Sequence, residues 1–531
     1  MQHSPRRRLL RRCALVSTVA LTVGLSLGAN GAGAQPSAGT VAPVTAQAAA
    51  APKISSPDPG VMANLFEWNW NSVGKECTDV LGPAGYGGVQ VAPPQDSLRR
   101  TKLDDGNDSI LHPWWEVYQP VDYKLTSRMG SEAEFKAMVK TCRQAGVKVY
   151  VDAVINHMTG QGDTSYGGRT YQRYAYSDLG VDHNASYANS DFHKYSGDCT
   201  STTGAIDDFN NLAQVRNCEL VGLSDLRTDT AKVRKTLAAY LNKLLGYGVS
   251  GFRVDAAKHV GQPDLDAIYN RLHNTVDGTR PLWALEVFGG GPGILSPQAF
   301  TTSGKVLGLD GVKQIRDAFK SYPDAHLGSI ATLKVFGADS GLTAGSKTVS
   351  FVQNHDTERN GDALNYKDGA RNLLATQWLL ASGYGTPQVY AAFTFSTNDD
   401  SPPTTADGMI TDTDCTTSAW SCTDRNAGVI GMVGWHNYVG KAKQQNWWDD
   451  GQNVIAFGRG AKGWVAFNNG PAAKKITVQT GLSAGTYCDV VHGKKSGGSC
   501  TGPTVEVKDN GKATLTVRAT GAVAIRANAR L

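Results

Sequence analysis

From residue 61 to about residue 440, short apolar runs alternate with longer segments in which apolar residues recur three and four positions apart. Gly, Pro and polar residues bound the runs, which is typical of buried strands, and the longer segments have the period of amphipathic helices. Strands that alternate with helices predict parallel βαβ units, and eight repeats favour an α/β fold of the (β/α)8 TIM-barrel type over a doubly wound sheet. The predicted strands are 61–68, 87–93, 147–157, 251–259, 281–287, 305–310, 348–356 and 386–393.

The clearest helical patterns cover residues 131–146 and 230–248. The first pattern opens with Ser131 and has Glu134 three residues later, a spacing that predicts a capping box. Gly146 ends the same pattern, as expected at a helix C-terminus.

Two regions depart from the alternation of strands and helices. From Met158 to about Ser224 the chain is rich in Gly, Asp, Asn, Ser and Tyr without a sustained period, and it is too long for a plain loop. We therefore expect an irregular domain inserted after the third strand. After about Tyr438, alternating runs separated by Gly or Asn predict an all-β domain of the sandwich type. The expected boundaries are 1–48 for a leader, 49–156 and 227–440 for the two parts of the barrel, 157–226 for the insert and 441–531 for the C-terminal domain.

The N-terminus resembles an export signal. Five arginines from Arg6 to Arg12 precede an apolar stretch from Ala14 to Leu27, and small residues follow as far as Ala51. Cleavage could follow Ala34 or lie near Ala48, and the paired arginines leave a twin-arginine route open. The alternative is a membrane anchor or a basic surface helix, but the apolar stretch is short for a span. We expect a secreted, extracellular protein without a membrane anchor in its mature form.

Removal of this leader changes the charge of the chain. The formal net charge is +5, and residues 1–47 contain five arginines and no acidic residue, so the mature chain is close to neutral. No basic stripe is visible elsewhere in the sequence. The charge therefore gives no indication of a nucleic-acid partner.

Nine cysteines are present, and eight remain when Cys13 leaves with the leader. An even number after an export signal indicates disulfides formed in an oxidising compartment. A zinc site is the alternative, but no pair has CxxC spacing. Three pairs are close in sequence and rich in turn residues, which leaves one long-range pair among the 105 connectivities that eight cysteines allow. The expected disulfides are Cys199–Cys218, Cys415–Cys422, Cys488–Cys500 and Cys77–Cys142.

Three carboxylates follow the apolar residues of three predicted strands. Asp255 ends GFRVD, Glu286 ends PLWALE and Asp356 ends FVQNHD. Because the active site of a (β/α)8 barrel lies at the C-terminal ends of its strands, we expect all three on one rim. A single acid there is more often a helix cap or a salt-bridge partner, but three acids with polar neighbours indicate a catalytic site.

The neighbours of these acids predict unequal roles. Arg253 lies two residues before Asp255 and points to the same side of the strand, where it should lower the pKa of Asp255 and keep this carboxylate ionised. Asn354 stands in the same relation to Asp356. Glu286 has apolar neighbours in sequence, which should raise its pKa and suit a general acid.

Four segments resemble the signature regions of the α-amylase family of retaining glycosidases. They are DAVINH (152–157), GFRVDAAKH (251–259), ALEV (284–287) and FVQNHD (351–356). The flanks are similar to the animal-type branch of that family, and the resemblance runs from about residue 58 to the C-terminus. The flanking segments that carry this similarity are NLFEWNW (64–70), GYGGVQVAPP (85–94), HPWWEVYQPVDYKL (112–125), VRNCELVGLSDL (215–226) and NWWDDGQNVIAFGRG (446–460). The resemblance implies an endo-acting α-amylase that hydrolyses internal α-1,4 bonds of starch and related glucans. The oligomeric state is open, and a monomer is the default expectation for a secreted protein of this kind.

The resemblance also implies roles for the matching residues. Asp255 would be the nucleophile of a double displacement, Glu286 the acid and base, and Asp356 the group that favours the charged transition state. The other matching positions bind the sugar or orient the nucleophile. They are His157 and His355 at the cleaved bond, Arg253 beside the nucleophile, and Lys258 and His259 on the leaving-group side.

Trp114, Trp115 and Tyr118 are the remaining candidates for sugar binding. Core packing is the alternative, but two adjacent tryptophans after Pro113 in a polar connection cannot both point inward easily. The C–H faces of sugar rings stack on aromatic rings, and the matching positions in the family bind glucose units. We therefore expect an aromatic platform at the rim.

A structural calcium ion is implied by the same resemblance. The matching ligands are the side chains of Asn156 and Asp225 and the backbone carbonyls of Arg216 and His259. All of them offer oxygen, which a hard cation prefers. The ion would hold the insert against the barrel beside the cleft.

Departures from the animal-type pattern change three expectations. Arg253 and Asn354 match two chloride ligands of that branch, but Gln388 occupies the position of the second arginine, and a neutral amide attracts an anion much less. We therefore expect activity without chloride. Thr126 and Thr159 stand where the branch has a further pair of cysteines, and TERNGDALNY (357–366) lacks its Gly-rich mobile loop.

Two other functions are compatible with the motifs. A transglycosylase or a maltooligosaccharide-forming relative would share the three carboxylates and differ in how its acceptor side holds a sugar against water. A carbohydrate-binding protein on a decayed barrel is the non-enzymatic alternative, and the intact Asp255, Glu286 and Asp356 argue against it.

Overall fold

The computed structural model describes residues 58–103, 110–162, 164–182, 185–193, 197–289, 291, 293–320 and 329–531. The predicted leader at 1–48 and its cleavage lie outside these residues. In the ranges that are described, no helix has both the length and the apolar character that crossing a membrane requires.

Eight parallel strands form a barrel that closes because the first strand pairs with the last. Neighbours in the barrel are neighbours in the chain, and nearly all strand residues are buried, as in parallel sheets covered by helices. The predicted barrel is confirmed. The strands are β1 Met62–Leu65, β2 Gly88–Val91, β3 Lys148–Ala153, β4 Gly251–Val254, β5 Leu282–Leu285, β6 Lys305–Leu307, β7 Thr348–Phe351 and β8 Thr386–Phe393.

Helices cover the outside of the barrel. The predicted capping box is present, because the Ser131 hydroxyl accepts from the Glu134 amide at 3.3 Å and the Ser131 amide donates to the Glu134 carboxylate at 2.8 Å. The second predicted helix begins after Thr230, whose side chain caps it. The helices are α1 Trp70–Glu76, α2 Gly82–Ala84, α3 Glu132–Gln144, α4 Leu212–Asn217, α5 Ala231–Gly246, α6 Gln262–Tyr269, α7 Pro297–Phe300, α8 Leu309–Phe319, α9 Thr357–Asn360, α10 Ala370–Ser382 and α11 Ala427–Val439.

Between β3 and α5 the chain forms the expected irregular insert. Its described residues contain α4, two short 3-10 turns and isolated β-bridges, and no sheet is found among them. The Phe192 ring packs against Tyr176 and Tyr187, with centroids 5.8 and 6.0 Å apart, and all three belong to the apolar core that the insert shares with the barrel.

The C-terminal region is all-β, as predicted. Two four-stranded antiparallel sheets, β10-β11-β12-β19 and β13-β18-β17-β14, share one apolar core that includes Trp464, Ile476 and Tyr487. A short strand β9 (Trp420–Ser421) pairs with the end of β8 before this region begins. The other strands are β10 Gln444–Asp449, β11 Val454–Arg459, β12 Gly463–Asn468, β13 Lys474–Gln479, β14 Gly485–Cys488, β15 Lys495–Ser496, β16 Ser499–Cys500, β17 Thr504–Val507, β18 Lys512–Val517 and β19 Gly521–Arg526.

All four predicted disulfides are present. The long-range bridge ties the end of α1 to α3, and the other three close short segments of the insert, the region after β8 and the C-terminal domain. Such links stabilise a fold mainly by restricting its unfolded chain. The bonded pairs are Cys77–Cys142, Cys199–Cys218, Cys415–Cys422 and Cys488–Cys500.

Candidate active site

The three predicted carboxylates leave the C-terminal ends of β4, β5 and β7. The parallel ladder continues one residue past the strands, since Asp255 N donates to Ala153 O and Glu286 N donates to Val254 O, each at 3.0 Å. Ala256 then turns into the left-handed region with φ of 48°. This turn lets its amide donate to Glu286 Oε2 at 2.8 Å, so the backbone after Asp255 helps to hold Glu286.

Arg253 lies at the centre of these groups and is buried. Its Nη1 donates to Asp152 Oδ1 and to Asp255 Oδ1, each at 2.7 Å, and its Nη2 donates to Glu286 Oε1. The register explains this convergence, because Asp152, Arg253 and Ala284 are paired positions on β3, β4 and β5. The contact of Arg253 with Asp255 was expected. The hydrogen bond of Arg253 to Asp152 was not, because these two residues are on different strands.

The pKa of Asp255 differs from the expectation. Burial raises it well above the usual range, and the carboxylates of Glu286 and Asp152 raise it further, although Arg253 lowers it. The prediction of a lowered pKa was wrong because one guanidinium is shared among three buried carboxyl groups. Such a cluster favours retention of a proton, which a site with one acid and one nucleophile needs.

The surroundings of Glu286 also differ from the expectation. Its apolar neighbours in sequence, Trp283, Leu285 and Val287, are buried. They alternate with Glu286 along the strand and therefore point to the other side. The carboxyl group itself is hydrogen-bonded by Arg253 and by a backbone amide. The carboxyl group of Glu286 therefore lies in a polar cluster and not in an apolar pocket.

Asp356 faces the cleft, with 28 % of its side chain exposed, and lies 3.2 Å from Nε2 of His355. Partial desolvation raises the pKa of Asp356 to about 7, with a further increase from Glu286, although Arg253 and Arg359 lower it. Burial lowers the pKa of His355 well below its usual range, so the imidazole is neutral and can donate to a hydroxyl or a carboxylate. Asp356 and His355 therefore form one polar pair at the open side of the site.

The turn that carries this pair is shaped by Asn354. The side-chain oxygen of Asn354 accepts from the amide and from the hydroxyl of Thr357, each at 2.9 Å. Asn354 thus caps the turn after β7, a different relation from that of Arg253 to Asp255.

The aromatic residues form a platform beside this pair. Trp114, Trp115 and Tyr118 share one 3-10 turn, Trp114–Tyr118. Tyr118 stacks on His355 with ring centroids 5.2 Å apart and donates to Asp152 Oδ2 at 2.8 Å. The two tryptophan rings are partly exposed, as a sugar-binding surface requires.

A loop after β8 holds both tryptophans, and sequence reasoning missed it. Trp114 Nε1 donates to the Asn398 carbonyl at 2.8 Å, and Trp115 Nε1 donates to Asp399 Oδ1 at 3.1 Å. The Arg100 guanidinium lies 5.5 Å from the centre of the Trp115 ring. The polar run STNDD at 396–400 was the available signal, but nothing in the sequence connects it to the tryptophans.

The remaining predicted sugar-binding residues lie around the same cleft. His157 Nε2 donates to the Tyr118 carbonyl at 3.0 Å, and burial lowers the pKa of His157 to about 4. The Lys258 amide donates to the Glu286 carbonyl at 3.1 Å, which places Lys258 directly beside the acid. His259 Nδ1 donates to the Val215 carbonyl at 3.0 Å. His259 thus joins the barrel to the insert.

The predicted calcium ligands come from the segment after β3, the insert and the turn after β4. Asn156 Nδ2 donates to Asp225 Oδ1 at 3.1 Å, and the His259 imidazole donates to the carbonyl of Val215, the residue before Arg216. The Arg216 guanidinium is held by Val260 and Gln262, away from its own carbonyl.

These residues fit a hard cation. Burial raises the pKa of Asp225 to about 7, as expected for an enclosed carboxylate with too little positive charge around it. His193, which sequence reasoning missed, donates to Asp225 Oδ2 at 2.7 Å. In the described ranges no group of three or more His, Cys, Asp or Glu could hold a metal. Of the four predicted ligands only Asp225 is a carboxylate, and the other three would offer amide or backbone carbonyl oxygens.

The position expected to weaken chloride binding is occupied by an amide pair. Gln388 on β8 donates from Nε2 to Oε1 of Gln90 on β2 at 2.9 Å, and both residues are buried. A neutral pair thus stands where the animal-type pattern has an arginine.

The chain matches models of two protein domains. The α-amylase catalytic domain matches residues 112–281, and the α-amylase C-terminal all-β domain matches residues 446–528. The α-amylase of Thermomonospora curvata is 41% identical over 498 residues, which cover 91% of this chain and 76% of that protein. The α-amylase of Tenebrio molitor is 39% identical over 486 residues, which cover 88% and 98%.

Solved structures agree with these relatives. Wild-type α-amylase I from Eisenia fetida has a TM-score of 0.81 and 34% identity, over 89% of this chain and 98% of that chain. A mutant of the same enzyme in complex with maltohexaose gives the same values.

Proposed function

The chain belongs to the α-amylase family of glycoside hydrolases, and from this premise we propose that it cleaves internal α-1,4 bonds of starch and related glucans with retention of the anomeric configuration. The observation that carries the proposal is the single Arg253 guanidinium that holds both Asp255 and Glu286. Two carboxyl groups bound to one guanidinium are compatible with the separation of about 5–5.5 Å that retaining glycosidases use.

In the first step, an Asp255 oxygen attacks the anomeric carbon of the bound glucan. The bond from this carbon to the glycosidic oxygen breaks, and Glu286 gives its proton to the departing oxygen. Arg253 contacts both carboxyl groups, so it keeps the nucleophile oriented while the negative charge moves from Asp255 to Glu286.

In the second step, Glu286 accepts a proton from a water molecule whose oxygen attacks the same carbon. The bond to Asp255 breaks, and the aspartate and the protonated Glu286 are restored. Two inversions at one carbon return the original configuration. Asp356 binds sugar hydroxyls and stabilises the positive charge that develops on the ring, and neutral His355 donates a further hydrogen bond.

Endo-action is supported by what lies on the two sides of the carboxylates. Trp114 packs against His355 beside Asp356, which gives one side of the site, whereas the Lys258 amide donates to the Glu286 carbonyl, which gives Lys258 and His259 the other side. Phe209 extends this second side, with its ring 6.3 Å from that of His259 and 45 % of its surface exposed. A cleft that continues in both directions accepts the middle of a chain, and maltohexaose binding by the Eisenia fetida relative is compatible with this view.

Calcium is the proposed structural ion. The Asn156 and Asp225 side chains and the carbonyls of Arg216 and His259 would hold it. A bound Ca2+ supplies charge compensation for the buried Asp225 and no step of the reaction. Chloride is not needed in this proposal, because Gln388 and Gln90 satisfy each other where an arginine would attract the anion.

Secretion as a monomer completes the proposal. The predicted leader and the four disulfides support an oxidising, extracellular location.

Cleavage of iodine-stained starch tests the proposed activity. We expect the colour to disappear faster than reducing ends accumulate, since internal cuts shorten chains quickly, and we expect Glu286→Gln to abolish both signals. Products longer than the starting maltooligosaccharide would instead indicate a transglycosylase. Starch that the wild type binds but does not cleave would indicate a binding protein.

A further inference from the structure

Arg359 is a buried cation close to the site, and the mechanism above gives it no role. It lies on α9, directly after the turn that carries Asp356. Its amide donates to the Asp356 carbonyl at 3.2 Å, and its Nη1 donates to the His355 carbonyl at 2.8 Å. Only 5 % of its side chain is exposed. The side chain of Arg359 thus holds the backbone of His355, and its main chain holds that of Asp356.

Four aromatic rings surround the Arg359 guanidinium. Its central carbon lies 5.9 Å from the centre of the Phe66 ring, 5.4 Å from Trp114, 5.1 Å from Phe393 and 4.4 Å from Phe395. Buried guanidinium groups interact favourably with such rings because little water screens the charge.

Two of these rings also hold the His355 imidazole. Phe66 stacks on it with ring centroids 4.5 Å apart, and Trp114 meets it edge to face at 5.3 Å. Arg359 therefore supports His355 from its backbone and from the rings that pack on its imidazole.

The positive charge of Arg359 is only partly compensated. Glu358 Oε1 accepts from Arg359 Nη1 at 2.5 Å and from the Tyr390 hydroxyl at 2.9 Å, but burial raises the pKa of Glu358 to about 7. Nε and Nη2 of Arg359 have no hydrogen-bond partner among the described residues, and neither do the oxygens of buried Glu67. An incompletely paired buried charge is expensive for stability, so its presence points to a function.

We propose that Arg359 is a positioning residue that fixes the turn of His355 through its hydrogen bond and its aromatic contacts, and that it supplies a second cation, after Arg253, for the neighbouring Asp356. The inference rests on the proposed role of Asp356. It adds a residue outside the signature segments to the charge balance of the cleft.

The charges that act on Asp356 fix the sign of the expected effect. Glu286 and Asp152 raise the pKa of Asp356, whereas Arg253 and Arg359 lower it, and His355 at 3.2 Å is neutral. Without Arg359, one guanidinium faces four carboxyl groups. Asp356 then ionises at higher pH.

The test compares the pH dependence of kcat/KM on 4-nitrophenyl maltoheptaoside for the wild type, Arg359→Gln, Arg359→Lys and Glu358→Gln. For Arg359→Gln we expect the acid limb to lie higher by roughly 1 pH unit, because a charge at this range is lost from a poorly solvated site. Arg359→Lys keeps the charge and loses the forked geometry. It should retain the wild-type acid limb while kcat falls roughly tenfold.

Glu358→Gln is the matched control, because it breaks the ion pair of Arg359 and leaves the cation. It should lower the melting temperature without moving the acid limb upward. The proposal is overturned if Arg359→Gln keeps the wild-type acid limb, or if Arg359→Lys keeps the wild-type kcat. If Arg359→Gln does not fold, Arg359→Lys alone decides. Asp356→Asn in the same assay distinguishes failure of this inference from failure of the proposed function. Retained activity in Asp356→Asn would contradict the role of Asp356 itself.

Discussion

At the scale of residues, the site depends on how one guanidinium divides its hydrogen bonds. Arg253 is bound to Asp152, Asp255 and Glu286, and all four groups are buried. Each carboxylate is stabilised by the cation and destabilised by the others, so removing one charge changes the ionisation of the rest.

Asp152→Asn tests this balance. The carboxylate of Asp152 is one of the causes that raise the pKa of Asp255. Its removal should lower that pKa, so the acid limb of kcat/KM should move to lower pH. Loss of an anchor for Arg253 should reduce kcat by roughly ten- to a hundredfold. Asp122→Asn removes a buried carboxylate bound to Arg169 and should leave the acid limb in place. An acid limb at higher pH in Asp152→Asn would contradict the conclusion that the Asp152 carboxylate raises the pKa of Asp255.

Gln388 gives a second prediction at this scale. Its amide is hydrogen-bonded to Gln90 and carries no positive charge that would attract an anion. Adding NaCl to chloride-free enzyme should therefore change kcat by less than roughly twofold. Sodium acetate at the same ionic strength is the control. A large increase in kcat that is specific to chloride would show that Gln388 does not prevent activation by chloride.

The sequence located the three carboxylates because strand ends are visible as apolar runs that stop at a polar residue. The direction of the pKa shift of Asp255 could not be predicted in this way, since burial and shared hydrogen-bond partners depend on distances between strands. The apolar letters beside Glu286 were misleading for the same reason, because alternate residues of a strand face opposite sides.

At the scale of elements, seven of the eight barrel strands are shorter than the predicted runs, and β8 has the predicted bounds 386–393. The run 251–259 ends as a strand at Val254, and its last five residues form the turn that carries Asp255, Lys258 and His259. Apolar pattern shows where a strand begins but not where its backbone leaves the ladder. The loop after β8 was missed altogether, because its contacts with Trp114 and Trp115 span 284 residues of sequence.

This loop predicts a change in subsite binding. Asp399→Ala removes the acceptor of the Trp115 indole and should let the ring move. We expect KM for maltoheptaose to rise roughly fivefold, in proportion to one lost hydrogen bond, while kinetics on maltotriose stay close to wild type. Asp407→Ala on the same loop loses an ion pair to Arg99 instead and is the control. Equal effects of Asp399→Ala on both substrates would show that the indole contact does not serve a distant subsite.

At the scale of the whole molecule, the insert and the barrel meet at the residues expected to bind calcium. The barrel and the C-terminal sheets could be predicted from the periodicity of apolar residues, and the insert from its lack of periodicity. The four disulfides could be predicted from cysteine spacing. Which side chains meet at the junction could not be predicted in this way, since Asn156, His193 and Asp225 come from separate segments. Only the resemblance to a family placed Asn156 and Asp225 together, and it did not include His193.

Calcium removal is the prediction at this scale. An ion that binds only the folded state raises its stability, by about 2.7 kcal/mol at a hundredfold excess over Kd. Chelation should therefore lower the melting temperature of the wild type by several degrees, and readdition of Ca2+ should restore it. Asp225→Asn should lose this response, whereas Asp191→Asn, elsewhere in the insert, should keep it. A wild-type melting temperature that chelation leaves unchanged would contradict the site.

The central claim is that Asp255 forms a bond to the sugar and that Glu286 serves both steps. Proton NMR of the first products from a maltooligosaccharide, recorded before mutarotation, tests it most directly. The account predicts that the new reducing end appears as the α-anomer, because two displacements at one carbon retain the configuration. An initial β-anomer would require one displacement by water, and it would contradict the role assigned to Asp255.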